Sequence, residues 1–163
     1  MKFWIIVSLL FSLIDCKAQH NKLAEIRDLY KLAIFEKVKA IELYEVTKNS
    51  NIERDHKKFT YNAIAILLKS KFIINPIHKL KSFLEGKELL EEVIKYYPKD
   101  IELRFLRFCV QKSAPSILDY KINIIEDSQF ILDNISKNPE ELQQFIMPIF
   151  EKLYDGRTSY TSR

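Results

Sequence analysis

Apolar residues recur at steps of three and four along most of this chain, and such steps predict helices rather than strands. From Asn21 to Lys48 the run is Leu23, Ile26, Leu29, Tyr30, Ile34, Val38, Ile41 and Val46. It predicts one amphipathic helix, about 38 Å long at roughly 1.5 Å per residue. Asn49-Ser50-Asn51 ends it, and a polar connector follows to about Lys58. Tyr61 to Ile74 is apolar on more than one side, as expected of a helix in the middle of a packed array. Asn75-Pro76 stops that helix and starts another, carried by Ile77, Leu80, Leu84, Leu90, Val93, Ile94 and Tyr97.

Pro98-Lys99-Asp100 forms a turn with Asp100 as the expected N-cap, and residues 101–112 are apolar around most of the circumference. Ser113-Ala114-Pro115-Ser116 breaks this second central helix. Tyr120 to Ile135 predicts a fifth helix, with Ile124, Ile131 and Ile135 on one side. Asn138-Pro139-Glu140-Glu141 then combines a cap residue, a first-turn proline and two acids. It opens a sixth helix to Tyr154, with a kink expected at Pro148. The fold class is therefore all-α: about six helices in an antiparallel helical-hairpin array, either stacked in a right-handed sense or packed as an irregular bundle. Residues 19–154 form the expected single domain, and 155–163 a frayed tail.

Composition sharpens this. Only 2 of 163 residues are Gly, too few for the turns of a sandwich or barrel, and 47% are hydrophobic, too many for a disordered chain. Gly86 falls inside a predicted helix, where it costs about 1 kcal/mol relative to Ala, so a close helix crossing is expected there.

Residues 1–18 are not read as fold. Lys2 precedes a twelve-residue apolar stretch from Phe3 to Ile14, and Cys16-Lys17-Ala18 puts small side chains before a cut at Gln19. That is the layout of a secretory signal peptide, and it predicts export to the periplasm or cell envelope of a Gram-negative bacterium. Leu13-Ile14-Asp15-Cys16 loosely resembles a lipobox, but Asp15 stands where a small residue belongs. Membrane attachment follows only if the signal stays uncleaved or Cys16 is lipidated. Cleavage leaves Cys109 as the single cysteine, so an internal disulfide is excluded and a buried small hydrophobe is expected.

The net charge of +4 is modest, its basic residues are spread along the chain, and no nucleic-acid-binding signature occurs. His20, His56 and His78 lack metal-ligand spacing, and no glycine-rich phosphate loop or other cofactor signature is present. Ser113, Ser116 and Cys109 have no neighbouring His, and nothing tunes Asp119 against Asp127 as acid and base, so no catalytic residue is assigned. Glu85, Glu88, Glu91 and Glu92 alternate with lysines and are read as a solvated face.

Gly86, Leu90, Val93 and Pro98 have the spacing of the second helix of a tetratricopeptide unit, and Pro98 to Glu102 looks like the turn into the next. A longer stretch, Asn62 to Phe130, is similar to a group of uncharacterised exported helical proteins from Bacteroidota. That resemblance rests on Asn75-Pro76, Lys79 to Gly86, the Pro98 turn, Leu103-Arg104-Phe105-Leu106-Arg107, Gln111, Pro115 and Asn123 to Asp127. It implies an exported helical fold and no particular activity.

One polar constellation carries chemistry. Among 20 Lys and 6 Arg, Arg104 and Arg107 lie three apart in a very apolar helix, and Gln111 extends their stripe. The next helix offers Asn123, Glu126 and Asp127, with Tyr120 one turn earlier. If the two helices are antiparallel the stripes meet. They then form either a structural polar seam or a binding site for an anion or carboxylate lined by Arg104, Arg107, Gln111, Asn123 and Asp127. The first reading leaves a non-enzymatic module binding a protein or peptide in the envelope. The second makes a small-anion-binding protein or a cryptic hydrolase using Arg104, Arg107 and Asp127.

Overall fold

The computed structural model describes residues 22–154, which are helical with short turns and contain no strand. The signal peptide expected over 1–18, with Cys16, and the tail expected over 155–163 lie outside the described residues. Among the described residues there are seven α-helices: α1 over 22–33, α2 Lys37–Thr47, α3 His56–Ser70, α4 Pro76–Tyr96, α5 Ile101–Ser113, α6 Ile124–Asn134 and α7 Glu140–Leu153. Short 3-10 turns, Ser116–Leu118 and Ile135–Lys137, flank α6. The chain divides into two compact units, and the division falls within α4, between Phe83 and Leu84.

The first correction to the sequence reading lies in the first unit. The single long helix expected from Asn21 to Lys48 is two. After Ala33 the amides of Phe35 and Glu36 both bond back to Leu32 O (3.0 and 3.1 Å), and Glu36 takes an extended conformation as the N-cap of α2. No glycine or proline marks this break, because a single extended residue at Glu36 suffices to end one helix and start the next. Ile26, Tyr30 and Ala33 of α1 are buried, as are Ala40, Leu43 and Thr47 of α2, while Val38, Ile41 and Val46 are exposed.

Helix α3 supplies the centre of this unit. Asp55 caps it, accepting from Lys58 N at 3.1 Å, and Thr60 to Leu68 are buried without interruption. It packs on α2, where Asn62 Nδ2 donates to Thr47 Oγ1 (3.4 Å), and Thr47 in turn donates to Leu43 O (2.6 Å). Tyr61 meets Tyr30 edge to face. The Asn75 side chain caps α4 by accepting from the amides of Ile77 and His78 (3.0 and 3.1 Å). The expected helix forms over Pro76–Tyr96. Ile77, Leu80 and Leu84 share the expected helical stripe but are exposed, whereas Leu90, Val93 and Ile94 further along α4 are buried.

In the second unit α5 is the buried centre, and α6 and α7 pack on it. Asp100 caps α5, accepting from Glu102 N at 3.0 Å. Phe105 packs edge to face on Phe145 of α7, and Phe108 lies tilted against Phe150, ring centres 5.0 Å apart. Gly86 is buried in α4 in an ordinary helical conformation. Helix α6 starts at Ile124, not Tyr120, and Pro139, not Asn138, is the N-cap of α7. Asn138 instead donates through Nδ2 to Asn134 O (2.8 Å), closing the preceding turn.

Candidate functional site

Helices α5 and α6 are joined by the turn around Ser116–Leu118 and face each other along a polar seam. Asp119 closes this turn in a left-handed conformation (φ 43°), which a short polar side chain tolerates better than a branched one. The acids Glu126 and Asp127 occupy the first turn of α6, where the helix dipole favours negative charge. Arg104, Arg107 and Gln111 face them from α5.

All five residues singled out in the sequence come together here. Arg107 Nε donates to Asp127 Oδ2 and Nη2 to Asp127 Oδ1, each at 2.7 Å. Asp127 is fully buried and Arg107 nearly so. Arg104 Nη1 donates to Asp127 Oδ1 (3.1 Å) and to the exposed Glu126 Oε1 (2.6 Å), and its Nε donates to Pro98 O (2.7 Å). Its guanidinium also lies 4.5 Å from the centre of the Phe130 ring. Gln111 Nε2 donates to Asn123 Oδ1 (3.2 Å), and Asn123 N donates to Gln111 Oε1 (3.1 Å). Asn123 is the N-cap residue of α6, yet its side chain makes no cap bond. Its carbonyl oxygen instead serves the seam.

Glu91, Tyr120 and Lys87 extend the network. Glu91 of α4 accepts from Arg107 Nη1 (2.8 Å) through Oε2 and from the Tyr120 hydroxyl through Oε1. Lys87, one turn earlier, places its ammonium 4.8 Å from the centre of the Tyr120 ring. Glu91 belongs to the acidic group expected to be solvated, and here the reading is corrected. One signal for it was present: residues 91 and 107 are symmetric about Lys99 in the Pro98 turn, so a helical hairpin brings them face to face.

The charges respond as the contacts require. Burial alone would lower the Arg107 pKa, but the bonds and charge of Asp127, then Glu91, outweigh it and hold it above its ordinary value. Burial, followed by the hydrogen bond to Glu91, pushes the Tyr120 phenol above its usual 10.0. The bond from Arg104 holds Glu126 below the usual carboxylate value.

Chemically, the seam is a set of donors and acceptors matched to one another. Each guanidinium meets carboxylates, and Asp127 receives three donors. Of the candidate nucleophiles, Cys109 is buried on α5, and Ser113 and Ser116 are exposed; of the two aspartates weighed as acid and base, Asp119 is exposed in the turn while Asp127 is held in the ion pairs. Among the described residues no group of three or more His, Cys, Asp or Glu could hold a metal ion. No family model, no curated protein and no solved structure matches the chain.

Proposed function

We propose that the chain is an exported, non-enzymatic module of the cell envelope that binds another protein or a peptide along the outer face of α6. The observation that carries this reading is how α6 divides its isoleucines and leucines. Ile124 and Ile131, seven apart, are buried, while Ile125 and Leu132, also seven apart and about 100° further round the helix, are exposed, with Ile122 exposed just before them. Two turns of helix separate each pair, so the exposed residues form one stripe, the form of anchor that an amphipathic partner helix covers. Export is supported by the N-terminal sequence pattern, and the tetratricopeptide-like spacing of Gly86, Leu90, Val93 and Pro98 fits a module of this kind. The guanidiniums of Arg104 and Arg107 are accounted for by Asp127, Glu126 and Glu91 without a ligand.

The test is photo-crosslinking in cells that make the full chain, with benzoylphenylalanine in place of Ile125, of Leu132 or, as a control, of Lys137. One discrete protein adduct from the first two positions and none from the control is expected. No adduct, or the same diffuse pattern from all three, contradicts the reading.

A further inference from the structure

A different surface lies at one end of the first unit. The turn between α1 and α2 and the turn between α3 and α4 are tied together there by Lys71, whose ammonium donates to Ile34 O (3.3 Å). Each turn holds a large apolar side chain out in solvent. Phe35 is 76% exposed in the first turn, and Ile74 is 97% exposed in the second. The opening turns of α4 continue the same surface, with Ile77 75% and Leu80 45% exposed. A core has no use for these side chains, and four of them standing together exceed the scattered apolar residues of an ordinary surface.

The charge around them is one-sided. From His56 to Leu84 the sequence has six lysines and two histidines, with no Asp or Glu. Of these, Lys71, His78, Lys79 and Lys81 are exposed beside Ile74, Ile77 and Leu80. Glu36, next to Phe35, is the acidic residue of the α1–α2 turn, and it is followed at once by the exposed Lys37. Exposed apolar side chains interleaved with lysines on adjoining turns and the start of a helix are the recognition chemistry of an anionic bilayer surface. The apolar groups enter the acyl boundary while the ammonium groups stay among the headgroups. No helix among the described residues is long and apolar enough to cross a membrane.

From the exposed Phe35, Ile74, Ile77 and Leu80 and the acid-free lysine-rich run around them, we infer that this tip docks the chain on the surface of an anionic phospholipid bilayer. The contact is interfacial and is made by the two turns and the opening turns of α4 as far as Lys81. It is independent of the N-terminal segment and of the partner face on α6.

The experiment uses the full chain with Trp4→Phe and Ile77→Trp, so that the introduced indole reports on the tip and not on the N-terminus. It is mixed with vesicles of phosphatidylcholine containing phosphatidylglycerol, with and without brominated acyl chains. A blue shift and bromine quenching are expected with phosphatidylglycerol and should weaken as salt is raised. Adding Ile74→Ser should lower the affinity read from the blue shift by about tenfold, and Lys79→Gln or Lys81→Gln by about fivefold each. Ile74 is exposed, so unchanged circular dichroism is expected for that variant. An indole that stays unquenched while the chain sediments with the vesicles overturns the proposal. So does equal quenching by purely zwitterionic vesicles. A blue shift without lipid that grows with protein concentration assigns the tip to a second copy of the chain and also overturns it.

Discussion

The Arg107 guanidinium meets the Asp127 carboxylate edge-on, with Nε and Nη2 each 2.7 Å from a different carboxylate oxygen. Residues 107 and 127 are symmetric about Ile117, the middle of the Ser116–Leu118 turn. Gln111 and Asn123, which also bond to each other, are symmetric about the same residue. One turn position therefore sets the register of both pairs. A slip of α6 along α5 would separate a buried arginine from a buried aspartate, which is costly. The seam thus works against alternative packings of two otherwise apolar helices.

The Tyr120–Glu91 bond predicts a pH dependence. The folded pKa of Tyr120 lies above its unfolded value near 10.0, so its contribution is complete below that value and is lost as pH rises above it. The unfolding free energy of the wild type, read by urea, should fall faster than that of Tyr120→Phe between about pH 9 and 11, by up to about 1.4 kcal/mol per pH unit above 10. Parallel curves for the two proteins would contradict the assignment.

The break after Ala33 predicts a contrast within α2. Leu43 is fully buried and Val38 is 72% exposed. Leu43→Ala should cost about 2–5 kcal/mol, and Val38→Ala less than about 0.5 kcal/mol, in chemical unfolding. A continuous helix with the stripe first expected from the sequence would make Val38→Ala the more damaging of the two.

These cases show what the sequence makes legible. Where polar punctuation and periodicity coincide, as at Asp100 and Asn75-Pro76, the helix start is readable from the residues because the cap chemistry is local. The meeting of Arg107 with Asp127 follows from helical spacing plus a short turn. The break at Ile34–Glu36 does not, because Ile34 and Phe35 are acceptable in a helix and the step pattern runs through them. Nor can periodicity tell that the stripe of Ile77 and Leu80 lacks cover, since a helix face looks the same whether a neighbour covers it or not. Glu91 was hidden among three similar glutamates, and only its position opposite Arg107 across the Pro98 turn distinguishes it.

The left-handed Asp119 predicts a third effect. A β-branched residue is strongly disfavoured at φ 43°, so Asp119→Val should destabilise by roughly 1–2 kcal/mol. Asp119→Gly should be neutral within about 0.5 kcal/mol. Thermal unfolding of the two variants checks this, and equal melting temperatures would show that the turn does not require the left-handed conformation.

The buried Arg107–Asp127 pair acts as a structural lock in the polar seam between α5 and α6. A double-mutant cycle with Arg107→Met and Asp127→Leu, read by urea unfolding of the full chain, tests it most directly. Each single change removes the two-bonded partner of a buried charge, leaving Asp127 with Arg104 alone or Arg107 with Glu91 alone, and should cost up to about 3–5 kcal/mol. The double change should cost less than either, a coupling of at least about 2 kcal/mol. Single changes that each cost under about 1 kcal/mol and simply add would contradict the account.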